Sequence, residues 1–445
     1  MLRNRVAELM PGARAELAEL VAIRSVADPR QAPAEECERA ARWVLDKFRT
    51  TGFADARLVR TDDGSQAVVG ARMCADPHAP TVLLYAHYDV QPAMDESAWR
   101  TPPFQLTEVD GRWYGRGAAD CKGNILVHLT ALRALGRDVP VNLKLVVEGS
   151  EEQGTGGLER FVPRHPELFD ADAILVCDTG NAAVGRPAVT VSLRGMVNVV
   201  VTVRALATPL HSGMFGGSAP DALAALVAML ATLRDARGNC AVAGLDNDQI
   251  WLGEPYAAER FRADAGVPDD IDLLGDGGVA DMLWARPTVT VLGIDCPPVA
   301  GSAAAITPRA AARINLRIPP GTSVEGAQNA LVDHLYAVAP WGVRVNVDIE
   351  ATGAPFRAVV DGPAHRAMNA AMRESYGRPM TILGQGGSIP LCTVLAETCP
   401  KAELILMGVE EPLALIHAPN ESVDPREIEA MTLAEALFLR TYGAS

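Results

Sequence analysis

The sequence predicts an α/β protein: a largely parallel sheet covered by helices, interrupted by an inserted α+β domain. Three observations predict it. Continuous apolar runs of strand length recur, each followed at its C-terminal end by a histidine or a carboxylate. Helical patterns lie between those runs. The middle of the chain changes to the order strand, helix, strand, strand, helix, strand.

The elements follow in order. The opening stretch MLRNRVAELMPGARAELAELVAI carries charges through its apolar positions. It reads as an amphipathic first helix, not as a signal peptide. TVLLYAHYD ends in His87 and Asp89, LKLVVEGSEE in Glu151 and Glu152, and AILVCD in Asp178; AELILMG is followed, after a loop, by His417. Apolar runs without alternation suit strands buried on both faces. A helical segment such as NILVHLTALRALG between them gives the βα alternation of a parallel sheet. Ligands of such sheets bind beyond the strand C-termini, where all of these polar residues fall.

The middle segment has strands at 196–205, 288–295, 311–318 and 343–350, with helices at 220–235 and 323–339. That βαββαβ order is ferredoxin-like. The expected organisation is a catalytic domain in two parts, 1–188 and 355–445, with an inserted domain at 189–354.

Composition narrows the function. A formal net charge of −15 repels nucleic acid, so no nucleic-acid partner is expected. No stretch reaches the length of an apolar membrane span. The eight cysteines are scattered without a C-x-x-C pair, the usage of reduced thiols in a cytoplasm.

Taken singly, the polar residues have ordinary explanations. His87 reads as a core histidine, Asp120 in YGRGAADCKGN as a helix cap, and His417 as a loop histidine. Glu151 and Glu152 read as first-turn carboxylates, and Asp178 as a turn cap. Taken together, His87, Asp120, Glu152, Asp178 and His417 offer two imidazoles and three carboxylates beyond one sheet edge. That donor set suits zinc, manganese or cobalt. It exceeds the three ligands of a single catalytic zinc and suits two divalent ions sharing a bridging carboxylate. Asp89, two residues from His87 on an extended chain, suits an orienting partner for the imidazole. Glu151 is left over as the base that a two-metal hydrolase needs. Glu148 is expected to serve structure.

The ordered set HYD, GRGAADCKG, EGSEEQG, CDTG, LHSG, GGSIP and HAPNE resembles the co-catalytic dinuclear zinc peptidases that include carnosinase, aminoacylase and glutamate carboxypeptidase. The resemblance runs from about residue 15 to the C-terminus. The long middle insert followed by WARPTVTVLGID most resembles the carnosinase-type dipeptidases. It implies a catalytic domain of the zinc peptidase fold, with the insert as lid and homodimer interface. Asp120 would bridge two metals, with His87 and Asp178 on one and Glu152 and His417 on the other. Asp89 would orient His87, and Glu151 would be the general base for a hydroxide held between the metals. The bond Asp120-Cys121 would be cis. His211 would stabilise the oxyanion from the partner subunit, Arg317 would grip the substrate's carboxylate, and Ser388 would lie in the substrate pocket.

The sequence departs from that pattern at Cys121, at Gly384-Gln385 ahead of GGSIP, and at the proline of AITPRAAAR. The last two bear on which peptide is cut. The expected activity is therefore hydrolysis of dipeptides or similar small peptides in the cytoplasm. The alternatives are an N-acyl amino acid deacylase or carboxypeptidase, against which Asp178 argues, and a biosynthetic amide-bond enzyme.

Overall fold

A computed structural model describes residues 1–137 and 139–443. The chain forms two compact units. The first comprises Met1–Val191, Ala358–Leu383 and Leu391–Ser445; the second comprises Ser192–Arg357 and Gly384–Pro390.

The first unit is built on a mixed sheet. Seven of its nine strands run in the order Arg57–Arg60, Gln66–Arg72, Asn142–Glu148, Thr81–His87, Ala173–Cys177, Glu403–Met407 and Ala188–Leu193. The last of these carries the chain into the second unit. The four strands from Asn142–Glu148 to Glu403–Met407 are mutually parallel, and the pairs outside them are antiparallel. The sheet is therefore parallel at its centre and antiparallel at its flanks. The parallel strands are the apolar runs: Val82 to His87 and Ala173 to Cys177 are buried throughout. Helix Lys122–Leu135 is buried along nearly its whole length, between helices Leu2–Val21 and Pro425–Tyr442. A helix apolar on most sides belongs inside a layer, not on its surface.

In the second unit the strands Gly195–Arg204, Thr288–Asp295, Arg309–Ile318 and Arg344–Gly353 form an antiparallel sheet. Counted along the chain, their spatial order is second, third, first, fourth. Alternation sets its two faces. Val197, Val199, Val201 and Val203 are wholly buried in a core with Leu226 and Met229 of helix Ala222–Ala231 and Leu331 and Leu335 of helix Val324–Ala337. The helices start where polar side chains satisfy their free amides. Asp221 accepts from the amides of Leu223 and Ala224, and Ser323 from that of Gly326; such caps are worth about 1 kcal/mol each.

Candidate metal centre

The site lies in the first unit, at the C-terminal ends of the parallel strands. His87 ends its strand, in parallel register with Glu148, and its side chain is fully buried. Its Nε2 lies 3.0 Å from Asp178 Oδ1 and 3.1 Å from Asp120 Oδ1. The second of these approaches has the wrong angle for a hydrogen bond and leaves Asp120 Oδ1 buried without a partner. The other carboxylate oxygen, Asp120 Oδ2, lies 2.9 Å from His417 Nε2. His417 Nε2 is also 3.2 Å from Glu152 Oε2. Two ligand groups result, His87 with Asp178 and His417 with Glu152, and one oxygen of Asp120 faces each.

Local structure fixes these side chains. Asp89 accepts from the amides of Glu151 and Glu152 at 3.2 and 3.0 Å, tying the short helical turn Glu151–Gln153 to the end of the central strand. His87 Nδ1 lies 3.1 Å from the Asp89 carbonyl oxygen and 3.5 Å from its carboxylate. One residue therefore orients the imidazole and the Glu151–Glu152 pair together. Gln91 holds Glu152 through its amide and its side chain, at 3.1 and 2.7 Å. The Asp120-Cys121 peptide is cis. Cys121 lies beneath the site and donates its thiol to the Cys177 carbonyl at 2.9 Å. Glu148 accepts from the Tyr85 hydroxyl at 2.5 Å.

Electrostatics show what the arrangement lacks. Burial pushes the Glu151 carboxyl well above its usual value, and the charge of Asp178 adds to the effect. Burial likewise raises Glu152, with Asp120 contributing, and lifts Asp178 to about 6. Burial acts upward on Asp120 too, but the contacts with His417 and His87 outweigh it and hold that carboxyl below the ordinary range. The same contact with Asp120, then that with Glu152, lifts His417 to about 11. Carboxylates crowded out of water repel one another unless cations stand among them. The orphaned Asp120 oxygen and a hard, mixed nitrogen and oxygen donor set fit divalent ions. Glu151 belongs to no group of converging ligand atoms among the described residues, so its carboxylate remains available.

Sequence reasoning passed over three residues here. Glu421, in HAPNE, is fully buried. It binds Arg116 Nη1 at 2.7 Å and accepts from the amides of Gly117, Ala119 and Asp120 at 2.9 to 3.1 Å, which shapes the loop that presents Asp120. Its signal was the motif itself. Gln91 had no signal. Glu410 offers an oxygen within 4.8 Å of ligand atoms of Asp120 and Asp178, and its Oε1 is buried without a partner. Only the pair Glu410-Glu411 after an apolar strand hinted at it.

The three remaining predicted residues lie in the second unit. His211 is exposed, and its Nδ1 accepts from the Gly213 amide at 3.1 Å. Arg317 stands on the sheet face opposite the helices, and Ser388 lies in the segment Gly384–Pro390.

Residues 83–441 match the peptidase family M20/M25/M40. The chain belongs to this family. It is 43% identical over 436 residues to the cysteinylglycine-S-conjugate dipeptidase of Corynebacterium striatum, covering 96% of this chain and 95% of that protein. It is 30% identical to the beta-Ala-His dipeptidase of Rattus norvegicus, covering 95% and 91%. The crystal structure of human carnosine dipeptidase 1 superposes with a TM-score of 0.82 at 27% identity, covering 99% of this chain and 98% of that one. These M20 relatives bear the carnosinase-type resemblance of the sequence. No helix among the described residues is long and apolar enough to cross a membrane.

Proposed function

We propose that the chain is a metal-dependent dipeptidase that uses two divalent ions, zinc foremost. The observation that carries this is Asp120, whose two carboxylate oxygens face two different histidines, each with its own further carboxylate. Asp120, His87, Asp178, Glu152 and His417 would hold the pair. Such ions polarise the scissile carbonyl and acidify a water. Glu151 takes the proton of that water and passes it to the leaving amine. Its burial and its freedom from the ligand groups support that role. Asp89 holds the base and the ligands in one frame. The relatives named above support a dipeptide as substrate. Arg317 takes the substrate's terminal carboxylate, since a guanidinium matches that group in shape and charge, and Ser388 contributes to the same pocket.

The second unit is, in this reading, a ferredoxin-like lid through which two chains pair. Its outer strand Thr288–Asp295 supports the pairing, because Val291, Leu292 and Ile294 are 38 to 54% exposed along a sheet edge, a surface that monomers avoid. His211 then serves the oxyanion of the partner's site. All eight cysteines are free, which supports a reducing cytoplasm.

The test compares Glu151→Gln with Glu152→Gln on a dipeptide panel and on N-acetyl amino acids, with elemental analysis of both proteins. Glu151→Gln keeps its metals and loses about 10²- to 10⁴-fold in kcat. Glu152→Gln loses metal. The opposite pattern exchanges their roles, and turnover confined to N-acetyl amino acids replaces the dipeptidase reading by a deacylase.

A further inference from the structure

The second unit contains a buried cation for which no role has yet been given. Across its sheet, on the face away from the helices, one row of paired residues runs Thr288, Arg317, Met196, Gly353. Directly paired residues of antiparallel strands share a face, so these four stand side by side. Arg194, two residues before Met196 and only 7% exposed, donates through Nη1 to Thr288 Oγ1 at 2.9 Å. Thr288 is the cross-strand neighbour of Arg317, and Arg317 lies near enough for its charge to act on Arg194.

Neither arginine has a carboxylate partner among the described residues. Arg194 Nε and Arg317 Nη1 are buried without any hydrogen-bond partner. The other polar pairs on that face are satisfied: Arg313 binds Glu350 at 2.7 Å and Asn315 binds Asn198 at 2.6 Å. The row Arg309, Arg204, Arg344 on the same face is exposed to water, so among the described residues the row of Arg317 is the one that carries sheltered charge without an answer. Burial, and then the charge of Arg317, lower Arg194 to about 10, the response of a cation facing another cation.

The segment Gly384–Pro390 leaves room at this place. A side chain at Gly386 would put a Cβ 2.9 Å from Arg194 Nη2, so glycine keeps that end of the guanidinium clear. Ser388 Oγ lies 3.9 Å from where a Cβ of Gly353 would stand, at the end of the same row. With Nη1 committed to Thr288, the open edge of Arg194 is the Nε and Nη2 side, the edge that binds a carboxylate with two parallel bonds.

We infer that Arg194 is a second carboxylate-binding residue, which shares the C-terminal carboxylate of the dipeptide with Arg317. A carboxylate has about four lone-pair sites, enough for one guanidinium on each oxygen. This rests on the reading of Arg317 given above.

The experiment measures kcat and KM for the best dipeptide of the panel and for its C-terminal amide, in the metal-loaded protein and in four variants. Arg194→Gln lowers the ratio of free-acid to amide kcat/KM by about tenfold or more, chiefly through KM, and Arg194→Lys recovers part of it. Gly386→Ala, which keeps both charges but crowds Nη2, shifts the ratio in the same direction by less. If Arg317→Ala collapses the ratio while Arg194→Gln and Gly386→Ala leave it unchanged, the inference about Arg194 is wrong and the Arg317 reading stands. If Arg317→Ala itself leaves the ratio unchanged, the reading beneath it is wrong. Equal losses on acid and amide make Arg194 a structural residue and overturn the inference. Should Arg194→Gln fail to fold, Gly386→Ala decides.

Discussion

Beyond its paired charges, the first unit crowds acids at one strand edge, and the second sets two arginines near one another with no acid between them among the described residues. Asp120, Glu151, Glu152, Asp178 and Glu410 crowd one strand edge; Arg194 binds Thr288, the cross-strand neighbour of Arg317. Each set is a mould of something the chain does not supply. An interior made for stability alone pairs its charges, as Glu421 pairs with Arg116 and Glu435 with His128. Unpaired buried charge of one sign costs folding free energy and persists where a ligand repays it.

That contrast can be broken at several points. The largest effect belongs to a pair that is complete. Glu421→Ala leaves Arg116 buried alone and frees three backbone amides of the Asp120 loop; we expect about 3–5 kcal/mol of lost stability by chemical denaturation, with metal present or absent. A loss under 1 kcal/mol would show that the pair is no structural keystone. Next comes the acidic cradle. Adding zinc or manganese to chelated protein at a hundredfold excess over Kd should stabilise it by about 2.7 kcal/mol per site, seen as a rise in Tm. The chelated protein should keep its circular dichroism, since a core of this size folds without metal. A Tm indifferent to metal would empty the cradle of its meaning.

Smaller effects sharpen the comparison. Glu410→Gln removes a buried acid with a partnerless oxygen, Oε1, and should stabilise the metal-free protein by about 1 kcal/mol; destabilisation would mean that its other oxygen has a protein partner. On the other side, Arg317→Met should raise the Tm of the substrate-free protein slightly. Arg313→Gln, on the same strand but paired at the surface with Glu350, should leave it unchanged.

Much of the candidate site was legible because its residues follow conspicuous apolar strands. His87 and Asp178 end such runs, and the Glu151–Glu152 pair is too concentrated to overlook. Distances along the chain hid the rest. Arg194 meets Thr288 across 94 residues, and no periodicity links them. Glu421 reaches Asp120 across 301, and only the surrounding motif marked it. The antiparallel flanks of the large sheet were illegible for another reason: Gln66–Arg72 is only half covered, and an apolar pattern carries no strand direction. The grouping of Gly384–Pro390 with the second unit left no compositional trace.

The strand order has a consequence for how the protein is made. Glu403–Met407 sits between Ala173–Cys177 and Ala188–Leu193, although it leaves the ribosome more than two hundred residues after them. Until it arrives, the central sheet is split, with two strand edges open to any other chain. His417 arrives later still. On the ligand set proposed above, the enzyme is therefore inert throughout its own synthesis, and a nascent chain meets the crowded cell in its most adhesive form. On that ligand set the residue that completes the site follows the strand that closes the sheet, so a chain that has acquired activity has also buried its most hazardous edges.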